Sequence, residues 1–263
     1  MTNKESLQPT DQSIYIRNSS NKYKGESKMN SIKKTARITG VLYLIIAIAM
    51  GFSFTAAFSN LIVPGDATAT ANNIMASESL FRIGFVGDSV TFLSEIVLVV
   101  LLYVLFKPVS KTLSLVAASF RLAMTVMQGM NLLNKVTALL LLGGAGYSTV
   151  FEPDQLHSLV LLFLNAYEYG ALIWGTFFGL HLLVLGYLLF KSGYFPRILG
   201  VLFVFASFGY LIDSYGHLLL PQYTEIYNVV VWATVPAEML FALWLLIKGV
   251  NVEQWEKRAL ESA

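Results

Sequence analysis

Apolar residues run through this chain in long blocks separated by short polar or glycine- and proline-bearing breaks. A helix that crosses a bilayer needs roughly 20 mostly apolar residues. Six segments meet that length: about 38–60, 83–106, 112–142, 155–190, from 196 to just before Pro221, and 225–248. Their boundaries carry helix punctuation. Lys107-Pro108 stops the second, Gly143-Gly144 the third and Ser192-Gly193 the fourth, while Pro153 and Pro196 stand where helices start. Proline suits a first turn because its missing N–H would have no partner there, and glycine suits the residue past a helix end.

Residues 1–30 lack this pattern. They are rich in Ser, Asn and Lys and read as a polar tail without order. Met29 offers an alternative start just ahead of Ser31. The first span reads as a retained helix rather than a cleaved signal peptide. The expected organisation is a tail over 1–30, a six-span membrane domain over 31–250 and a short tail over 251–263.

Composition agrees. Of the 263 residues, 56% are hydrophobic and 13% charged, whereas soluble domains carry about 25% charge. A soluble enzyme, a disordered protein and a nucleic-acid-binding domain are excluded on that ground. With no cysteine there is no disulfide, thiolate metal site or cysteine nucleophile. The net charge of +2 points to no polyanionic partner. The fold class is therefore all-α, a polytopic bundle of six transmembrane helices in the cell membrane.

Charge sets the expected orientation. Fifteen of the 18 Lys and Arg residues fall before the first span, in the 2–3 and 4–5 connections, or after the sixth. Basic residues collect on the cytoplasmic side, so both termini are expected there. The third and fourth spans are long, about 45–54 Å at 1.5 Å per residue against a ~30 Å core. They must tilt or project as a hairpin on the outer side.

Ionisable groups inside spans are costly and normally face the bundle interior. Counting from the cytoplasmic helix ends places Glu95, Arg121, His181 and Glu238 at one depth, about 14–18 Å. These four are the candidate ligand- or ion-binding set. Asp88 and Glu95 share a face of the second span, and Arg121, Thr125, Gln128 and Lys135 form a stripe on the third. Facing the stripes pairs Glu95 with Arg121 and leaves Asp88 near Gln128. Lys135 is expected at or above the outer interface.

A second candidate set lies further out: Asp88, Gln128, Glu168, Asp213 and His217. Asp213 and His217, four residues apart, suit an oriented histidine or half a metal site, but no complete ligand set can be assembled and no metal is expected. Pro236 ahead of Glu238 predicts a kink in the sixth span. Gly175 and Gly179 make a small-xxx-small pair, read first as close packing within one subunit and second as a homodimer face. Tyr147, Trp174, Tyr223, Trp232 and Trp255 read as bilayer-belt aromatics, Trp255 as the anchor of a C-terminal amphipathic segment.

The stretch from Phe178 to Gly200, with Gly179-Leu180-His181, Gly186-Tyr187 and Lys191-Ser192-Gly193-Tyr194-Phe195-Pro196-Arg197, resembles a signature of a bacterial membrane family, domain of unknown function 4386. Lys34-Thr35-Ala36-Arg37-Ile38-Thr39-Gly40 resembles its opening, and Ser119-Phe120-Arg121-Leu122 and Tyr210-Leu211-Ile212-Asp213 resemble further family positions. The resemblance covers about 31–248. It implies a multi-span membrane protein and supplies no activity, cofactor or catalytic residue.

No phosphate loop, HExxH, GxSxG or CxxC motif is present. Three readings of function follow. The first is binding or transport of a small molecule or protons at the midplane set. The second is a non-catalytic accessory or signalling component. The third is a membrane-embedded hydrolase or transferase built on the outer Asp/His set.

Overall fold

The computed structural model describes residues 9–144, 146 and 150–262, with side chains described from Asn30 onward. Tyr147 and residues 1–8 lie outside the described residues. Among the described residues there is no strand.

Helix α1 (Pro9–Phe52) passes directly into a π-helical turn, Ser53–Phe58. Its helical backbone thus runs through residues 9–29, ahead of the apolar portion that starts at Asn30. A short helix α2 (Ala67–Ala76) follows, with Asp66 at its N-cap accepting from Ala69 N at 2.8 Å. Next come α3 (Glu78–Phe106), α4 (Lys111–Leu142), α5 (Pro153–Ser192) and α6 (Arg197–Leu219). After a 3₁₀ turn at Pro221–Tyr223, the last span is split into α7 (Thr224–Trp232) and α8 (Val235–Ile247), and α9 (Val252–Glu261) ends the described chain.

Six helical segments are long and apolar enough to cross a membrane: Asn30–Phe58, Glu78–Phe106, Lys111–Leu142, Pro153–Ser192, Arg197–Leu219 and Pro221–Ile247. The chain is an all-α polytopic bundle of six spans. Each span packs on the next in sequence, and α8 closes the ring on α1. Large apolar side chains such as Ile48, Leu133, Phe205 and Ile247 remain outside this ring, all more than 60% exposed, as a bilayer-facing surface requires.

The core is in two parts. The larger joins Tyr43, Leu98, Met124, Phe178, Leu182, Phe203, Phe241 and Leu245 along the bundle axis. The smaller joins Phe58, Ile74, Phe81, Leu141, Val160 and Leu164 at the end remote from the termini. At 40 residues, α5 is about 60 Å long, beyond a ~30 Å core. Its surplus turns pack on α4 and α2.

Two departures from sequence expectation have physical reasons. The last span does not merely kink at Pro236. It breaks at Ala233–Thr234, and Pro236 sits in the first turn of α8, where its missing N–H costs nothing. Trp255 is not in the bilayer belt: it is 5% exposed, and its indole donates to Leu105 O at 2.9 Å. That carbonyl is an orphan of the end of α3, because Val109 N turns to Phe106 O instead. Tyr194 OH donates to the same oxygen at 2.8 Å. Burial pushes the Tyr194 phenol well above its usual range. Arg258 adds a bond to Lys191 O at 3.2 Å, so α9 is fastened across the ends of α3 and α5.

The α5–α6 seam is made by glycine. A Cβ on Gly186 would lie 2.8 Å from Gly200 O, and one on Gly200 would lie 2.6 Å from Gly186 O. Cβ atoms on Gly175 and Gly179 would meet Ser214 Oγ at 2.7 Å and Leu211 at 2.9 Å. The Gly175/Gly179 face is therefore covered by α6 of the same chain.

Candidate functional site

Arg121 on α4 is 1% exposed. Its Nη2 donates to Glu95 Oε1 at 2.9 Å and its Nε donates to Glu95 Oε2, a bidentate pair between α4 and α3. Nη1 donates to Tyr43 OH of α1 at 3.2 Å and to His181 Nε2 of α5 at 3.0 Å. The other histidine nitrogen, Nδ1, lies 2.8 Å from Ala117 O. A carbonyl only accepts, so the proton is on Nδ1 and the Nε2 lone pair receives Arg121. The guanidinium carbon also stands 5.2 Å from the Tyr43 ring centroid and 5.6 Å from that of Phe178.

Glu238, half-buried in the first turn of α8, joins from the sixth span. It lies within electrostatic range of Arg121 and Glu95 and of Tyr210 on α6. The four residues grouped by depth are thus brought together, and with Tyr43 and Tyr210 every span contributes one member. Beside Arg121 and His181 lies a cavity of about 10 Å³, bordered by Ser114, Leu102 and Leu185. That is on the order of one water.

The outer candidates are divided. Asp88 is not matched to Gln128. Its Oδ2 is 2.6 Å from Lys135 Nζ and its Oδ1 accepts from Ser53 Oγ at 2.7 Å. Lys135 is 1% exposed, and its ammonium lies 3.1 Å from the Phe58 ring centroid and 3.8 Å from that of Tyr167. It is turned into the bundle, where it neutralises Asp88, which would otherwise be buried unpaired. Gln128 donates instead to Tyr167 OH at 2.9 Å. His217 Nδ1 is 3.3 Å from Asp213 Oδ1 and donates to Asp213 O at 2.9 Å, with the Tyr227 ring 5.4 Å away. Glu168 lies on the exposed side of α5. Among the described residues no three His, Asp or Glu gather as metal ligands. Tyr167 thus touches both Gln128 and Lys135, the partner of Asp88, while Asp213 and His217 pair on α6.

The family model described as Domain of unknown function (DUF4386) matches residues 38–249. The chain belongs to this family. It is also similar to a protein of Archaeoglobus fulgidus printed as "Uncharacterized protein", at 32% identity over 171 residues, 64% of this chain and 85% of that relative. The relative is archaeal, so the likeness reaches beyond the bacterial setting of the resemblance. No solved structure matches the chain.

In this DUF4386 chain, sequence reasoning missed Tyr43, Tyr210, Tyr167, Ser53 and the inward role of Lys135. The tyrosines carry no signal by type, since aromatic residues also recur at plain core positions such as Phe81, Phe203 and Phe241. Ser53 is delivered by the π-helical turn, which widens α1 and turns Ser53 and Phe58 toward Asp88 and Lys135. Such turns recur at functional positions. Chemically, the cluster holds two carboxylates, an imidazole and the Tyr43 phenol about one guanidinium. The cavity that Arg121 and His181 border is the size of about one water.

Proposed function

We propose that the protein handles protons at its midplane, with Glu238 as the group that gains and loses the proton and Tyr210 and the Arg121 network as its connection to the bundle. The supporting observation is the match of chemistry and space: Arg121 and His181 border a cavity of about 10 Å³, and Tyr43 of α1, Glu95 of α3 and Glu238 of α8 act on the same guanidinium. Glu238 is suited to exchange because it stands just after the break at Ala233–Thr234. Irregular backbone of that kind inside a membrane belongs where protein or a wet cavity satisfies it. His181 is the fixed acceptor of Arg121 and takes no proton without giving up that contact. The distribution of basic residues supports a cell-membrane protein with both termini in the cytoplasm.

The test is a proton-flux assay. Purified protein in liposomes with an internal pH-sensitive dye, under an imposed pH gradient and a potassium–valinomycin potential, should acidify faster than protein-free vesicles. Glu238→Gln should remove that flux while inserting normally. Wild-type flux equal to that of empty vesicles overturns the reading.

One observation favours a second reading, a non-catalytic membrane component. The Glu95–Arg121–His181 contacts are mutually satisfied and sealed, as a register-fixing pair would be. On this reading the vesicles stay silent and the protein co-purifies with a membrane partner.

A further inference from the structure

A groove of about 680 Å³ lies between α4 and α5, apart from the midplane set. Its volume falls in the range of small-molecule sites, about 300–1,000 Å³. Its lining changes with depth. Along α4 from Lys111, Met127 stands about 24 Å, Asn131 about 30 Å and Asn134 about 35 Å from the termini-side end. Along α5 from Ser192, Ile173 stands about 29 Å, Tyr169 about 35 Å and Asn165 about 40 Å. A hydrocarbon core is ~30 Å thick, so Met127, Met130 and Ile173 lie at acyl-chain depth and the amides lie beyond it, with Leu162 outermost.

The amides form a built floor. Asn131 is 8% exposed, and its Nδ2 donates to Tyr167 O at 2.8 Å. Asn134 Nδ2 donates to Asn131 Oδ1 at 2.9 Å. Gly170 of α5 makes the room, since a Cβ there would collide with the Asn131 amide. Among the described residues this leaves the Asn134 carbonyl and the whole Asn165 amide without a protein partner. An amide has four hydrogen-bonding positions, and half-buried Asn134 and exposed Asn165 both line the groove.

No charged residue lines the groove. Lys135, the nearest cation in sequence, is turned inward to Asp88. Glu168, one turn from Asn165, is exposed on the same helix and would repel an anionic head. We infer that this groove binds a lipid with an uncharged, hydroxyl-bearing head, its acyl chain along Met127 and Ile173 and its hydroxyls on Asn134 and Asn165. A neutral head follows from the uncharged lining, and a lipid follows from apolar side chains at acyl-chain depth with amides beyond them.

The test uses the full chain, delipidated in detergent, with dioleoylglycerol as probe and dioleoyl phosphatidylglycerol and phosphatidylcholine as comparators, read by native mass spectrometry. Dioleoylglycerol should bind at least tenfold tighter than phosphatidylglycerol. Asn165→Leu should lower its affinity about tenfold, and Ile173→Trp, which fills the acyl end, should also lower it. Asn165 makes no protein hydrogen bond, so its loss leaves the fold intact, and a matching melting temperature verifies this. Equal binding of the three lipids, or binding indifferent to both variants, overturns the inference.

Discussion

Arg121 and Lys135 stand fourteen residues apart on α4, and each holds a carboxylate of α3 from a pair only seven residues apart, Glu95 and Asp88. Fourteen residues are about 21 Å of helix and seven about 10.5 Å. The two backbones alone cannot align both pairs. The long side chains make up the difference, and side chains on a helix lean toward its N-terminus, which draws Lys135 back into the bundle. The α3–α4 seam therefore carries two buried ion pairs, one in each core.

Breaking either pair should cost more than deleting both. Arg121→Ala leaves Glu95 buried without its cation, at about 3–5 kcal/mol. The double variant Glu95→Leu/Arg121→Met removes both charges and should recover most of that loss. Guanidinium or urea unfolding of the purified protein in detergent measures the cycle, and equal losses in single and double variants would contradict the pairing.

Lys135 should resist conservative exchange. Its ammonium fits between Phe58 and Tyr167 at 3.1 and 3.8 Å, a space a planar guanidinium does not share. Lys135→Arg should lower the melting temperature clearly, and Lys135→Met, which strands Asp88, should lower it further. A silent Lys135→Arg variant would place the ammonium elsewhere.

The shared carbonyl of Leu105 predicts non-additivity. Tyr194→Phe or Trp255→Phe removes one of two donors and should cost about 0.5–1.5 kcal/mol each. Together they leave a buried carbonyl bare, so the double loss should exceed the sum. Tyr194 also gives a pH signature. Its phenol is raised by burial, so its contribution is complete below the unfolded value of about 10 and is lost as pH rises above it. Wild type should lose stability above pH 10 more steeply than Tyr194→Phe.

The α5–α6 crossing should not tolerate a methyl group. Gly186→Ala or Gly200→Ala brings a Cβ to 2.8 or 2.6 Å from the opposing carbonyl, and neither backbone can yield cheaply. A loss of about 1–3 kcal/mol is expected for each. Cysteine pairs introduced across this seam, in a chain with no native cysteine, would report the separation directly.

The six spans were legible in the sequence because a bilayer imposes one length and one polarity on every crossing helix. The shared depth of Glu95, Arg121, His181 and Glu238 was legible for a related reason: helical rise converts residue number into depth. The Glu95–Arg121 pair followed from facing stripes. Depth says nothing of which way a long side chain leans, and so the reach of Lys135 inward to Asp88 was not legible. The π-helical turn that delivers Ser53, the break ahead of α8, and the inward seat of Trp255 on Leu105 O all depend on partners remote in sequence. Local pattern determined which segments cross and how deep their charges lie. Only the packing of α4 against α3 and α5 decided that Lys135 meets Asp88 and that His181 receives Arg121, because buried polar groups choose partners in three dimensions and leave no periodic trace along the chain.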